Sequence, residues 1–269
     1  MRIYISADIE GITGVSHWNE TSSGKPDYSY FRDQMTTEVA AACQGAIQAG
    51  AVEILLRDAH GSARNINPAL LPRIVRIIRG WSGHPFSMMD CIDSSFDAAL
   101  FVGYHSRAGS PGAPLAHTLT TALSEIRLNS TPVSEFILNT MTAAYVNVPV
   151  VFVAGDELLC QEVHSYQAEI KTVATQRGLG KATISSHPEV SKEAIQAGVA
   201  EALQGDLRRY FRPLPKGFKL ELDFKEPAVA YRNSFYPGAG LVGDRQVALE
   251  SENFFDILRA LQFLTGDGS

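Results

Sequence analysis

Four runs most constrain how this chain folds: RIYISAD (2–8), VEILLRD (52–58), AALFVGYH (98–105) and VPVVFVAGD (148–156). Their Val, Ile, Leu and Phe content suits strands covered on both faces, the habit of a parallel sheet held between helical layers. RIVRIIRG (73–80) reads as another strand of the set. Helical spacing fills the intervals: Met35, Val39, Ala42 and Ala46 recur on one face, with Gly50 as the stop. Further helices are expected over 133–145, 157–169 and 187–204, and a hairpin or short strand pair over 116–128. IKTVATQ (170–176) and FKLELDF (218–224) read as strands, and SENFFDILRALQFL (251–264) as a terminal amphipathic helix with Ser251 as N-cap. Strands alternating with helices predict an α/β fold: a layered, mostly parallel central sheet flanked by helices, with a C-terminal lobe extending the sheet. RRYFRPLPKG (208–217), with two prolines and a glycine, marks the expected lobe boundary. The chain shows no fixed-period repeat and no low-complexity tract.

A length of 269 residues, 45% hydrophobic, supports one large domain or two closely packed lobes. The net charge is -6 and Lys and Arg are scattered, which argues against a nucleic-acid partner. No apolar stretch approaches the ~20 residues of a membrane span, so no membrane partner is expected either. The N-terminus enters a strand directly, without a basic region or apolar leader, and a cytoplasmic protein is expected. Cys43, Cys91 and Cys160 share no CxxC spacing and read as small buried hydrophobes.

In an open α/β sheet, ligands bind beyond the carboxyl ends of the strands. The first strand ends in Asp8 and Glu10, the second leads through Asp58 to His60, and the fourth runs into His105. Residues i and i+2 of an extended segment face the same side, roughly 6–7 Å apart. Asp8 and Glu10 can therefore serve one metal together, or Asp8 can bridge two. A His and carboxylate set without Cys suits Zn²⁺ or a similar divalent ion, and a two-metal centre needs a bridging carboxylate with ligands on either side. His17, His84, His164 and His187 lack any partner pattern and read as surface or packing residues. Asp156 and Glu157 end a strand, where orienting a ligand histidine and capping a helix are both open to Asp156. Asn139, a turn beyond Glu135, is open to facing the site or solvent. GITG (11–14) lacks the Lys and Ser/Thr of a phosphate loop, so its glycines read as turn formers, and no GxSxG elbow is present.

SADIEG (6–11) resembles the SxDxEG motif of the zinc-dependent D-aminopeptidases, the DppA-like metallopeptidases. The resemblance continues in order through DAHGS (58–62), PFSMM (85–89), LFVGYHSRAGSPG (100–112), AHT (116–118), PVSEFILN (132–139) and VPVVFVAGDE (148–157). It implies two zinc ions per subunit, with Asp8 bridging, Glu10 and His60 on one side and His105 and Glu135 on the other. Residue pattern alone makes Glu135 an exposed acidic group at a helix start. His117 matches the family's catalytic residue, described as a nucleophile. Two zinc ions acidify the attacking water, which leaves the imidazole proton transfer to the leaving amine, so general acid/base is the preferred role. With the boundary at the 208–217 segment, residues 1–207 are expected to form a metal-binding α/β catalytic lobe and 208–269 a C-terminal α/β lobe packed on it, or the two form a single unit. The resemblance also implies short D-amino-acid peptides as substrates and a ring-like decamer enclosing its active sites. Two rivals use the same residues. A two-metal phosphoesterase would draw on Arg57, Arg64 or Arg107, and a non-catalytic binding protein would hold one structural metal.

Overall fold

The computed structural model describes residues 1–266. In chain order, β1 (Arg2–Ala7) leads through a short α1 (Trp18–Thr21) to the long α2 (Tyr28–Gln48), then β2 (Glu53–Asp58), β3 (Val75–Ile78) and β4 (Ala98–Tyr104). β5 (Leu123–Leu128) and β6 (Thr131–Pro132) precede α3 (Glu135–Tyr145), β7 (Val150–Asp156), α4 (Glu157–Tyr166), β8 (Lys171–Leu179), β9 (Ala182–Ser185) and α5 (Pro188–Ala202). The chain closes with β10 (Phe218–Phe224), α6 (Pro227–Asn233), β11 (Ala239–Gly243), β12 (Gln246–Ser251) and α7 (Phe254–Leu264).

Seven strands form one sheet in the order β3-β2-β1-β4-β7-β8-β9, parallel except for the β8–β9 hairpin. β4 and β7 are buried along their whole length, as their apolar runs require. β3 is only half-buried, because it is the sheet edge rather than an interior strand. The helices α2 and α5 pack on each other and α3 packs on α4, and both pairs cover the sheet. Strand order reverses at β1, whose neighbours are β2 and β4, so the crevice beyond β1, β2 and β4 is the topological switch point.

The C-terminal strands do not extend this sheet. They build a second, antiparallel sheet of order β11-β12-β10-β5-β6, in which β10 pairs with β5 (Leu222 opposite Ile126). β10 alternates buried and half-buried positions, so it needs one covered face, which α6 and α7 help supply. Two smaller expectations also change. Asn253, not Ser251, caps α7, accepting from Phe255 N–H at 3.0 Å, while Ser251 Oγ accepts from Asn253 N–H. Cys43 and Cys160 are buried, with thiol pKa values pushed up by burial to about 12, but Cys91 is exposed, in the loop between β3 and β4 rather than within a strand or helix.

Candidate metal centre

Asp8 lies immediately beyond β1, and its Oδ1 accepts the following Ile9 N–H at 2.9 Å, which fixes the carboxylate at the strand end. The segment that carries Glu10 is tied to β8, where Gln176 Nε2 donates to Glu10 O at 3.1 Å and Thr175 Oγ1 to Gly11 O at 2.6 Å. Glycine at position 11 is required by close approach rather than by a turn: a Cβ there would sit 1.8 Å from Tyr104 O. Gly103 is the reciprocal case, at φ 74° with a Cβ that would fall 2.1 Å from Asp8 O. The two glycines let the Asp8–Glu10 segment and the end of β4 lie backbone against backbone, joined by Gly11 N–H to Gly103 O at 2.9 Å.

His60 follows β2 in a loop shaped by Asp58, which accepts from Asn65 N–H, Asn65 Nδ2 and Ile66 N–H at 2.6, 2.7 and 2.9 Å. Asn65 Nδ2 also donates to His60 O. His105 follows β4, and the next residue, Ser106, is held through its N–H and Oγ by Asp156. Asp156 also caps α4 by accepting Leu159 N–H, so of the two tasks open to it the capping is direct, while it reaches His105 only through the neighbouring Ser106 and bonds no histidine itself. Glu135 opens α3 behind the Ser134 cap, buried rather than exposed, and its Oε1 accepts Leu119 N–H at 2.7 Å. That contact ties the helix start to the loop bearing His117. Asn139 is buried and donates to Tyr104 Oη at 2.9 Å, and it lines the same cleft.

These elements bring Asp8, Glu10, His60, Glu135 and His117 to the wall of a 440 Å³ cleft, with His105 buried against Asp8 and Glu135. Asp8, Glu10, His105 and Glu135 are only 3–4% exposed. His60 Nδ1 lies 3.2 Å from Asp8 Oδ1 and 3.1 Å from Glu10 Oε2. His105 Nε2 lies 3.5 Å from Asp8 Oδ2 and 3.4 Å from Glu135 Oε2, and His117 Nε2 lies 3.8 Å from Glu135 Oε1. Asp8 therefore divides its two oxygens between two histidines.

The other nitrogen of each imidazole decides the chemistry. His60 Nε2 donates to Thr21 O at 2.8 Å, His105 Nδ1 to Ser106 O at 3.0 Å and His117 Nδ1 to Leu115 O at 2.9 Å. A carbonyl only accepts, so each ring, when neutral, turns a lone pair toward carboxylate oxygens that also only accept. Such a set is stable only around a cation. Glu10 Oε2 and His105 Nε2 are accordingly buried without a hydrogen-bond partner. Two groups of donors can close on an ion: Asp8, Glu10 and His105, and His105, His117 and Glu135, each with ligand atoms within 4.8 Å of one another. Without an ion, protons must take its place. Burial opposes protonation of His60, but the charge of Glu10 and the bonds from Asp8 and Glu10 outweigh it and hold the pKa well above the ordinary imidazole value. His105 behaves likewise beside Glu135 and Asp8. The residues present fit a divalent ion held by mixed N and O ligands, with backbone carbonyls fixing the tautomers from behind.

The profile of the peptidase family M55, described as D-aminopeptidase, matches residues 1–263. The chain belongs to the D-aminopeptidase family. A D-aminopeptidase of Bacillus subtilis (strain 168) is 29% identical over 269 residues, covering 98% of this chain and 97% of its relative. The solved structure of the Zn-dependent D-aminopeptidase DppA from Bacillus subtilis, described as a self-compartmentalizing protease, superposes with a TM-score of 0.92 at 29% identity, over 98% and 97% of the two chains. In this member of the D-aminopeptidase family, several features of the cleft leave no trace in residue pattern. Backbone carbonyls that fix tautomers are invisible in a sequence. Trp18 meets the His117 ring edge-on at 5.3 Å, and Leu258 and Leu261 of α7 line the cleft although they are far away in the chain. Of the three arginines near the centre, Arg57 lines the cleft, whereas Arg107 turns to Glu125 at 3.7 Å.

Proposed function

We propose that the protein is a zinc-dependent aminopeptidase that removes the N-terminal residue of short peptides containing D-amino acids. The observation that carries this reading is the trio of imidazoles, each locked by a backbone carbonyl, whose remaining nitrogens face three buried carboxylates. Two zinc ions would be held by Asp8, which turns one oxygen toward His60 and the other toward His105, together with Glu10 and His60 on one side and His105 and Glu135 on the other. When bound, the zinc ions supply Lewis acidity, polarising the scissile carbonyl and making the attacking water more acidic. His117 is the proton carrier: its Nδ1–H is held by Leu115 O, so Nε2 can take a proton and return it to the leaving amine. Its ring stacks on His105 at 4.3 Å and meets Trp18 on its edge, which limits the ring's rotation.

The relative's self-compartmentalizing description supports a large homo-oligomer for this chain, and the form proposed for it is a ring-like decamer with its clefts facing inward. No helix among the described residues is long and apolar enough to cross a membrane; a cytoplasmic location is part of the same proposal. The test is zinc content per chain together with hydrolysis of D-alanyl-D-alanine and L-alanyl-L-alanine, before and after chelation and zinc restoration. Two zinc ions per chain and chelator-sensitive cleavage of the D-peptide are expected. Zinc without peptide hydrolysis, coupled to cleavage of phosphate esters, would instead favour the phosphoesterase.

A further inference from the structure

Arg57, near the end of β2, is the largest fully buried side chain among the described residues, at 0% exposure, yet it lines the cleft that holds the metal-type ligands. Its Nη1 donates to Gly80 O, and its guanidinium carbon lies 4.3 Å from the centre of the Trp81 ring. Nε and Nη2 have no hydrogen-bond partner, and Arg57 forms no salt bridge among the described residues. Asp90 lines the same wall but is engaged by Ser82 Oγ rather than paired with the guanidinium. A buried guanidinium left half-satisfied is costly, and such groups call for a partner that the folded chain does not itself provide.

Nε and Nη2 form the side-on edge of a guanidinium, the edge that binds a carboxylate through two parallel hydrogen bonds. The position suits one end of a short peptide. Arg57 precedes His60 by three residues, a Cα separation of at most ~10 Å, and Trp81 closes the interval by donating from Nε1 to Gly61 O at 2.7 Å. One or two residues of extended peptide beyond a scissile bond span roughly 3.5–7 Å, and an arginine side chain covers the rest. Trp81 and Ser82 are bracketed by Gly80 and Gly83, both at positive φ of 80° and 82°, so the segment covering the guanidinium is joined at each end through a residue with wide backbone freedom.

We propose that Arg57 is a specificity-determining residue that binds the free C-terminal carboxylate of a di- or tripeptide, admitted by a shift of the Trp81–Ser82 segment. This rests on the aminopeptidase reading and narrows its substrate class to peptides ending a residue or two beyond the cleaved bond. Arg57 stands outside the metal-type ligands, so its contribution falls on substrate binding rather than on the chemical step.

The experiment compares D-alanyl-D-alanine with D-alanyl-D-alaninamide on zinc-loaded wild type, Arg57→Met and Arg57→Lys, with zinc content measured in each. Wild type is expected to favour the free acid by about 10- to 100-fold in kcat/KM, mostly through KM, the range of a charge-assisted hydrogen-bond pair. In Arg57→Met this preference collapses toward one with zinc retained, and Arg57→Lys, which keeps the charge without the fork, recovers part of it. An acid-to-amide ratio near one in wild type, or the same ratio in wild type and Arg57→Met, would overturn the proposal. Should Arg57→Met fail to fold, the wild-type ratio and its decline in Arg57→Lys decide the matter. Hydrolysis of neither peptide by zinc-loaded wild type would overturn the peptidase reading itself, and this inference with it.

Discussion

At His117 the Leu115 carbonyl keeps the Nδ1 proton, and Nε2 sits 3.8 Å from Glu135 Oε1, farther from a carboxylate than the facing nitrogens of His60 and His105. That looser position fits a group that moves protons more than one that anchors an ion. His117→Ala should therefore lower kcat by about 10²- to 10⁴-fold, the usual range for a lost general acid/base, while zinc content stays near that of wild type. Joint loss of zinc and activity would make His117 a ligand instead, a role its place beside His105 and Glu135 would permit. Glu38 presents a different case. It is fully buried on α2, its Oε1 accepting Thr13 N–H and Gln34 Nε2 while Oε2 has no partner, and burial raises its pKa. Between the unfolded and folded pKa values the native state binds more protons, so this residue's contribution to stability declines as pH rises above ~4.3. Glu38→Gln keeps a carbonyl acceptor and removes the charge. The variant's gain in urea midpoint over wild type should be small near pH 4 and grow toward pH 8, whereas a constant difference would show that Glu38 ionises freely in the fold.

Between elements, the site depends on how closely the Asp8–Glu10 segment lies against the end of β4. A Cβ on residue 11 would meet Tyr104 O at 1.8 Å, backbone against backbone, with no flexible side chain to yield. Gly11→Ala should cost about 1–3 kcal/mol or more of stability by overpacking, and it should weaken zinc retention because it pushes Glu10 away from His60. Chemical denaturation and zinc titration of the one variant read both effects, and native zinc affinity in a stable Gly11→Ala protein would contradict the argument. The same contact shows what residue pattern could and could not convey. The strand ends that carry Asp8, Glu10, His60 and His105 were legible because buried parallel strands have unmistakable composition and a known ligand edge. The reason for Gly11 was not, since a close approach 93 residues away along the chain looks like an ordinary turn. Glu135 was reachable only through family resemblance, because nothing in PVSEF tells a buried carboxylate from an exposed one. The second sheet was misjudged because β10 alternates like any half-buried strand, and its partner β5 precedes it by about 90 residues.

For the whole molecule, the remaining question is what covers its apolar exterior. Tyr231, Phe235 and Phe263 are 61%, 71% and 67% exposed, and Val242 on β11 is 56% exposed. Tyr231 and Phe235 pack edge to face at 5.1 Å, while Tyr236 stacks on Phe263 at 6.3 Å, so aromatic rings cluster on the outside of the second sheet's helices. Single exposed hydrophobes are ordinary, but grouped aromatics are the usual mark of an interface. A second copy of this chain is the partner that the self-compartmentalizing relative supports. If the chain forms the decamer proposed above, sedimentation should give a particle about ten times the chain mass of 29.2 kDa. Phe235→Asp, which puts a charge on that surface without touching the cleft, should shift the distribution toward smaller species while each chain keeps its zinc. Enclosure also predicts a kinetic consequence. If the clefts face an inner chamber, folded proteins with accessible N-termini should resist cleavage by the assembly at concentrations where dipeptides are hydrolysed, and a monomeric wild type in sedimentation would remove the basis for that selectivity.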